Sequence, residues 1–242
     1  MIDLHSHILP NIDDGARSIA DTLALAQHSV DIGVTHMMCT PHWHLGRYDN
    51  HVNDVQSVFD ETVRQLHAHH IPLKLALGAE IRMCTEIVQW AQQASLPVIG
   101  QWQSKPAFLL EMSHSHIPAG IENLLMWLKQ HRIQAIIVHP ERNRDILKYP
   151  EKIKRLHDAG AIFQGTAGSF TDTLKSDVQK VTWQLLEDGY FAYVASDMHD
   201  LNRRYNQMAE CRDLIAQHVG DEQAQALTHT VPQSITQSVN WL

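Results

Sequence analysis

Short apolar runs rich in branched residues alternate along this chain with longer segments whose apolar positions recur every three to four residues. The runs at 2–5, 35–40, 73–80, 107–112, 135–139, 161–165 and 191–196 have the length and character of buried strands. Between them Ile19, Leu23, Ala26 and Val30 fall on one helical face. Val52, Val55, Phe59, Val63 and Leu66 do likewise, as do Ile121, Leu124, Leu125 and Leu128. Ser18, with Asp21 three residues later, predicts a capping box at the start of the first long helix. Gly33 and Gly160 stand where helices should stop.

Alternation of strand and helix implies parallel strands joined by right-handed crossovers. Seven such units without a composition break predict an α/β fold, a closed or nearly closed seven-stranded (β/α) barrel forming a single domain over residues 1–242. No internal repeat, linker or low-complexity tract interrupts it. In TIM-like barrels the chemistry sits on loops that follow the strand C-termini. Site residues should therefore fall at or just beyond strand ends.

Composition narrows the classes. A hydrophobic share of 44% and a charged share of 19% are ordinary for a globular protein. No apolar run approaches the ~20 residues needed to cross a bilayer, and Met1 to His5 lacks the start of a signal peptide, so a cytoplasmic location without membrane insertion is expected. The three cysteines, Cys39, Cys84 and Cys211, imply no disulfide framework. A net charge of −8 argues against nucleic acid as a partner. The anomaly is histidine, with eighteen copies against nineteen Lys and Arg together. Histidine is the commonest metal ligand among side chains.

Nine potential donors fall where the barrel expectation puts them. His5 and His7 close the first strand, and Asp14 follows in Asp13-Asp14-Gly15. His42 lies in Thr40-Pro41-His42 after the second strand. Glu80 ends the third, Glu111 the fourth, and His139, in His139-Pro140-Glu141-Arg142, the fifth. Asp197 and His199, in Ser196-Asp197-Met198-His199, end the last; the strand at 161–165 alone contributes no donor. Residues two apart in extended chain point the same way, so His5 and His7 can grip one ion, and Asp197 and His199 repeat that geometry. Glu80 and Glu111 in apolar surroundings call for a counter-charge, because an unpaired buried carboxylate is costly. Five histidines and four carboxylates exceed what one ion needs and suit two or three divalent metals. Paired metals suit phosphoester hydrolysis. Of the other histidines, His67, His69 and His70 read as a solvated helix end and His114 and His116 as loop residues, while His44 is a neighbour of the donor set.

Arg142, three residues past His139, and Arg204, five past His199, are placed to bind a phosphoryl group in forked fashion; Arg203 could exchange with Arg204. A cysteine-based phosphatase needs arginine six positions after its cysteine, and Leu45, Trp90 and Gln217 stand there instead. No P-loop or dinucleotide glycine fingerprint follows a strand. The small-residue run Gly165-Thr166-Ala167-Gly168-Ser169 reads as a place where backbone approaches the site closely.

The ordered set His5-Ser6-His7, Asp13-Asp14-Gly15, Thr40-Pro41-His42, Gly78-Ala79-Glu80, His139-Pro140-Glu141-Arg142, Thr166-Ala167-Gly168-Ser169 and Ser196-Asp197-Met198-His199 resembles the PHP (polymerase and histidinol phosphatase) type tyrosine phosphatases of bacterial capsule and exopolysaccharide operons. The resemblance runs from Met1 to about Ile235. It implies a distorted seven-stranded barrel with three divalent ions, in practice manganese, with iron, zinc or magnesium as substitutes. By similarity His5, His7, Glu80 and Asp197 hold one ion, Glu80, Glu111 and His139 a second, and Asp14, His42 and His199 the third. Arg142 and Arg204 take the substrate phosphate, and a metal-activated hydroxide attacks phosphorus in line. The implied partner is the phosphotyrosine tail of a membrane-attached tyrosine autokinase controlling polysaccharide export. Asp200, the segment Phe170-Thr171-Asp172-Thr173 and Val231-Pro232 depart from the family pattern without touching a proposed ligand. The competing expectations are a histidinol-phosphate type phosphoesterase, an amidohydrolase (disfavoured because the strand at 107–112 offers no lysine) and a non-catalytic adaptor of polysaccharide assembly. Oligomeric state is left open.

Overall fold

The structure, a computed structural model, describes residues 1–50, 52–171 and 176–242, with backbone alone at 52 and 53. Ten strands lie among them: β1 (Ile2–Ser6), β2 (His36–Cys39), β3 (His42–Trp43), β4 (Lys74–Leu77), β5 (Glu80–Arg82), β6 (Gly100–Trp102), β7 (Lys105–Glu111), β8 (Gln134–Val138), β9 (Ile162–Thr166) and β10 (Phe191–Ala195). The main helices are α1 (Ile19–Asp31), α2 (Val52–Ala68), α3 (Glu86–Gln92), α4 (Ile121–Gln130), α5 (Arg144–Lys148), α6 (Ile153–Ala159), α7 (Ser176–Glu187) and α8 (Met208–Val219). The strands form a three-stranded sheet, β1-β2-β4, and a larger sheet in the order β10-β9-β8-β7-β5-β3. Every pairing on these paths is parallel; β6 alone joins antiparallel, as a hairpin on β7. This is an α/β fold with mostly parallel strands.

All seven expected strands are present, but the third is broken. The stretch expected to run straight over 73–80 splits into β4, which pairs with β2, and β5, which pairs with β7 and β3. The break falls at Gly78 and Ala79. Gly78 N–H donates to Cys39 O at 2.9 Å, and a side chain at Gly78 would come within 2.8 Å of Ile99. The chain therefore changes sheets at a residue where a Cβ would crowd the Ile99 side chain, and Glu80 opens a strand instead of closing one. The two sheets also meet at their outer strands. His7 N–H donates to Met198 O at 3.0 Å and Asp197 N–H to His5 O at 2.8 Å.

Alternating strand residues feed two cores. Met37, Cys39, Leu75, Phe108, Leu110, Ile137, Phe163 and Val194 pack in one cluster with the helices. Leu4, Met38, Ala76, Leu109, Ile136, Val138, Tyr193 and Ala195, drawn from both sheets, pack together in a second. Burial on both faces explains why the strands read as continuous apolar runs. At about 25 cal/mol per Å² these side chains dominate the driving force for folding.

Ser18 caps α1 as expected, its Oγ accepting from Asp21 N–H at 3.2 Å. The face of α1 is rotated from expectation: Thr22, Leu25, Ala26 and Ser29 are buried, while Ile19, Leu23 and Val30 are only half-buried. Hydroxyls are tolerated inside because Thr22 donates to Ile8 O at 2.7 Å and Ser29 to Leu25 O at 2.9 Å. On α2, Val55, Phe59 and Leu66 are buried as expected; the side chain of Val52 and residues Asp172 and Thr173 lie outside the described residues. Among the described residues no helix is long and apolar enough to cross a membrane.

Candidate metal centre

The nine predicted donors converge on one rim. β1 carries His5 and, one residue past its end, His7, both fully buried. Their Nε2 atoms are 3.2 Å apart. Glu80 Oε2 lies 3.5 and 3.4 Å from them, and Asp197 Oδ1 3.4 and 3.3 Å. Ligands held at about 2.1 Å by a tetrahedral ion sit ~3.4 Å apart. The spacing is therefore that of a coordination shell.

The opposite atom of each of these groups is occupied. His5 Nδ1 is 2.7 Å from Gln164 Oε1, and His7 Nδ1 is 2.6 Å from Asp13 Oδ2. The Gln164 amide is oriented by its Nε2, which donates to Gly165 O at 2.7 Å. An oxygen at Nδ1 requires the proton there, which leaves Nε2 as the electron-pair donor. Asp197 Oδ2 accepts from Arg142 at 2.5 Å and Arg204 at 2.6 Å. The two arginines expected at phosphate thus also anchor a carboxylate of the cluster. The Nε of Arg142 is buried without a hydrogen bond and remains available.

Glu80 is shared between groups. Its Oε1 lies 2.7 Å from His139 Nε2 and its Oε2 lies 2.8 Å from His42 Nδ1. Glu111 Oε2 is 4.0 Å from His42 Nδ1, and Glu111 Oε1 accepts from Arg82 at 2.8 Å. Asp14 Oδ1 completes a third group, 3.2 Å from His42 Nε2 and 3.4 Å from His199 Nε2. The buried atoms Glu80 Oε2, His42 Nδ1 and His199 Nε2 make no hydrogen bond. Such atoms are costly without a partner. Nitrogen and oxygen donors converging this way, with no thiolate among them, fit divalent cations.

Local sequence explains the placement. Asp13 Oδ1 accepts from Gly15 N–H at 2.9 Å and its Oδ2 from His42 N–H at 3.0 Å, so one carboxylate joins the loop after β1 to β3. A Cβ on Gly15 would stand 2.0 Å from His7 O, so the turn admits glycine alone. His139 and Asp197 leave their strands with φ of 37° and 51°, a region non-glycine residues seldom adopt and one concentrated at functional sites. Glu141 turns inward and accepts from Thr166 N–H at 2.9 Å and Ser169 Oγ at 2.8 Å. The small-residue run after β9 therefore fastens the loop that carries His139 and Arg142.

The converging groups perturb one another's titration. Burial and the neighbouring Glu80 charge push Glu111 up to about 7. Burial disfavours charge on His42, but Glu80 and Asp14 outweigh it and raise it to about 9. Burial likewise opposes charge on His5 and His7, yet nearby carboxylates raise both. Burial lowers His139 and His199 to about 4. Asp13 is also disfavoured by burial, and its pairing with His7 overrides this and holds it at about 2.

Several supporting residues were not singled out from sequence. Asp3, fully buried, accepts from Ser196 N–H at 2.9 Å and Asn206 at 3.0 Å and so joins β1 to the loop after β10. The strand at 161–165, expected to carry no metal donor, supplies through Gln164 the partner of His5 Nδ1. A buried polar residue in an apolar strand was the available signal, the same one that marked Glu111. Tyr48 stacks on His42 with ring centroids 5.3 Å apart and planes 7° from parallel. His44 pairs with Tyr48 through backbone and joins no donor cluster among the described residues. His67, His69 and His70 are exposed, as expected. His114, expected to be an ordinary loop residue, groups instead with Glu111 and His139.

The fold and this donor set suit a metal-dependent hydrolase, and the relatives of the chain identify a metal-dependent phosphatase. The chain belongs to the capsular polysaccharide synthesis family CpsB/CapC, whose model matches residues 1–237. It is 32% identical over 228 residues to the tyrosine-protein phosphatase YwqE of Bacillus subtilis, covering 94% of this chain and 89% of that one. A solved structure described with YwqE from Bacillus subtilis and CpsB from Streptococcus pneumoniae, unique metal-dependent tyrosine phosphatases, matches with a TM-score of 0.86 at 30% identity, over 98% of this chain and 92% of the other. The phosphotriesterase homology protein of Escherichia coli shares the fold, with a TM-score of 0.58 at 13% identity over 97% of each chain.

Proposed function

We propose that this chain is a metal-dependent protein-tyrosine phosphatase, its whole length of residues 1–242 serving as one phosphatase domain with the strands arranged as a distorted seven-stranded barrel. The second core, shared by β1, β2 and β4 with β7, β8 and β10, supports that arrangement. The observation that carries the function is the shell of His5, His7, Glu80 and Asp197, with donor atoms 3.2–3.5 Å apart at the strand ends.

In this reading His5, His7, Glu80 and Asp197 hold one cation, Glu80, Glu111 and His139 a second, and Asp14, His42 and His199 a third, with manganese the expected metal. Bound divalent ions supply an acidic water and positive charge for an in-line displacement at phosphorus. Gln164 and Asp13 keep the protons of His5 and His7 on Nδ1. Arg142 offers its free Nε, and Arg204 a guanidinium already at the rim, to the non-bridging phosphoryl oxygens. Water oxygen bonds to phosphorus, giving up one proton to solvent, as the bond to the tyrosyl oxygen breaks. The phenolate, with a parent pKa of about 10, needs little help to leave and takes its proton from solvent. A cavity of about 570 Å³ opens beside His199, lined by Arg17, Leu201 and Arg203, and offers room for residues flanking the tyrosine. The substrate in the cell is the phosphotyrosine tail of a membrane-attached tyrosine kinase of capsule or exopolysaccharide synthesis, and the enzyme works from the cytoplasm.

The test is manganese-reloaded protein assayed on a phosphotyrosine peptide, a phosphoserine peptide and histidinol phosphate, with His139→Ala as blank. Release from phosphotyrosine alone, lost in the variant, is the expected result. Release mainly from histidinol phosphate overturns the substrate, and no release with metal bound overturns the activity.

A further inference from the structure

We propose that His114 is an additional imidazole ligand of the cation held by Glu111 and His139, an inference that rests on the metal-centre reading above. Donor atoms of Glu111, His114 and His139 all lie within 4.8 Å of one another. The His114 and His139 rings are 5.4 Å apart and 36° from coplanar. That is nearly the relation of His5 to His7, at 5.3 Å and 47°, the pair assigned to a shared ion.

His114 is exposed, yet the loop that carries it is fastened at both ends to the segment following His139. Asn143 donates to Ser113 O at 2.6 Å, and Arg144 N–H to His114 O at 2.9 Å. Asp145 accepts from Ile117 N–H at 3.0 Å and pairs through its other oxygen with Lys152 at 2.9 Å. The backbone on either side of His114 is therefore fixed against this segment, with the imidazole beside Glu111 and His139. The cation on this side also has the greater need of a donor. Glu80 is divided among three groups, and one oxygen of Glu111 is engaged by Arg82. A second nitrogen here biases the site toward manganese, iron or zinc over magnesium, because imidazole suits transition metals and magnesium prefers oxygen.

The experiment measures metal content and calorimetric affinity for Mn²⁺ and Mg²⁺ in the metal-stripped full chain, for wild type, His114→Ala, His114→Asp and His116→Ala. The expected result is a loss of at least ~10-fold in Mn²⁺ affinity for one ion in His114→Ala, the scale for removing a group that supports a metal site. Mg²⁺ affinity should change less, so the preference for manganese narrows. His114→Asp should recover much of the binding with a smaller preference for manganese, and His116→Ala should match wild type. Unchanged manganese binding in His114→Ala overturns the assignment; if KM for the phosphotyrosine peptide rises at the same time, the side chain touches substrate instead. Absence of metal binding in the wild type overturns the metal-centre reading itself.

Discussion

The two sides of the metal centre are built differently. On the side of β1 and β10, His5, His7 and Asp197 are buried and each has its second polar atom fixed, by Gln164, Asp13, and the pair Arg142 and Arg204. On the side of β5, β7 and β8, Glu80 is shared, Glu111 leans on the part-exposed Arg82, and His114 stands in solvent. The first side is pre-organised, because second partners hold the rings and the carboxylate in place. The second side is braced less: Glu111 relies on a part-exposed arginine, and His114 is exposed. Buried polar networks of the first kind lose most when one member is removed. The comparison therefore predicts which substitutions are felt most.

The largest effect should come from His7→Ala, which removes a donor facing both Glu80 and Asp197 and leaves Asp13 with backbone N–H partners alone. Phosphatase activity and retained metal should fall by more than the ~100-fold upper figure for supporting residues; a fall of only a few fold, with metal retained, would overturn the proposed cation site of His5, His7, Glu80 and Asp197. Next comes Arg142→Lys. A point charge cannot reproduce a forked contact, and kcat/KM for a phosphotyrosine peptide should drop ~100-fold, the lower bound for losing one stabilising donor. Metal content should hardly change, so a large loss of metal would assign Arg142 to anchoring Asp197 alone. Gln164→Leu should weaken metal binding ~10–100-fold and Gln164→Glu should preserve it, since only the latter accepts from His5 Nδ1. Arg82→Ala sits at the small end. Its pair with Glu111 is part-exposed, and such pairs are worth about 0–1 kcal/mol, so metal affinity should shift by no more than ~5-fold. A larger loss would show that the second side is as rigid as the first.

Protons give an independent measure. Carboxylates raise His5, His7 and His42 against the opposing effect of burial, the last to about 9, so the His42 ring carries charge at neutral pH in the metal-free chain and His5 and His7 hold their protons more tightly than a free imidazole. A cation binds only the neutral ring. Metal loading at pH 7 should therefore release protons, and affinity should rise as pH is raised toward about 9, where His42 loses its proton. Calorimetry in buffers of different ionisation enthalpy reads the release directly. Proton uptake, or affinity that falls as pH rises, would contradict the arrangement.

Much of this was legible in the linear chain because it rests on local rules. Apolar runs separated by helical periods reveal parallel strands, since strands covered on both faces must be apolar throughout. Donors at strand ends could be picked out because the topology sends every such end to one rim, and Ser18 could be read as a cap because capping spans three residues. What stayed hidden depends on contacts distant in sequence. Gln164 meets His5 across 159 positions and Asp3 meets Asn206 across 203, and no local pattern announces either pairing. The break at Gly78 falls where Ile99 packs close to the backbone, and the rotation of α1 reflects carbonyls that accept from its hydroxyls. His114 shows the same limit most plainly: among eighteen histidines, only its distance from Glu111 and His139 separates it from a solvated loop residue. Residue types and their order determine which donors exist and which rim they reach. Only tertiary packing decides which atom of each donor faces inward, because that choice is made by partners the chain brings together late.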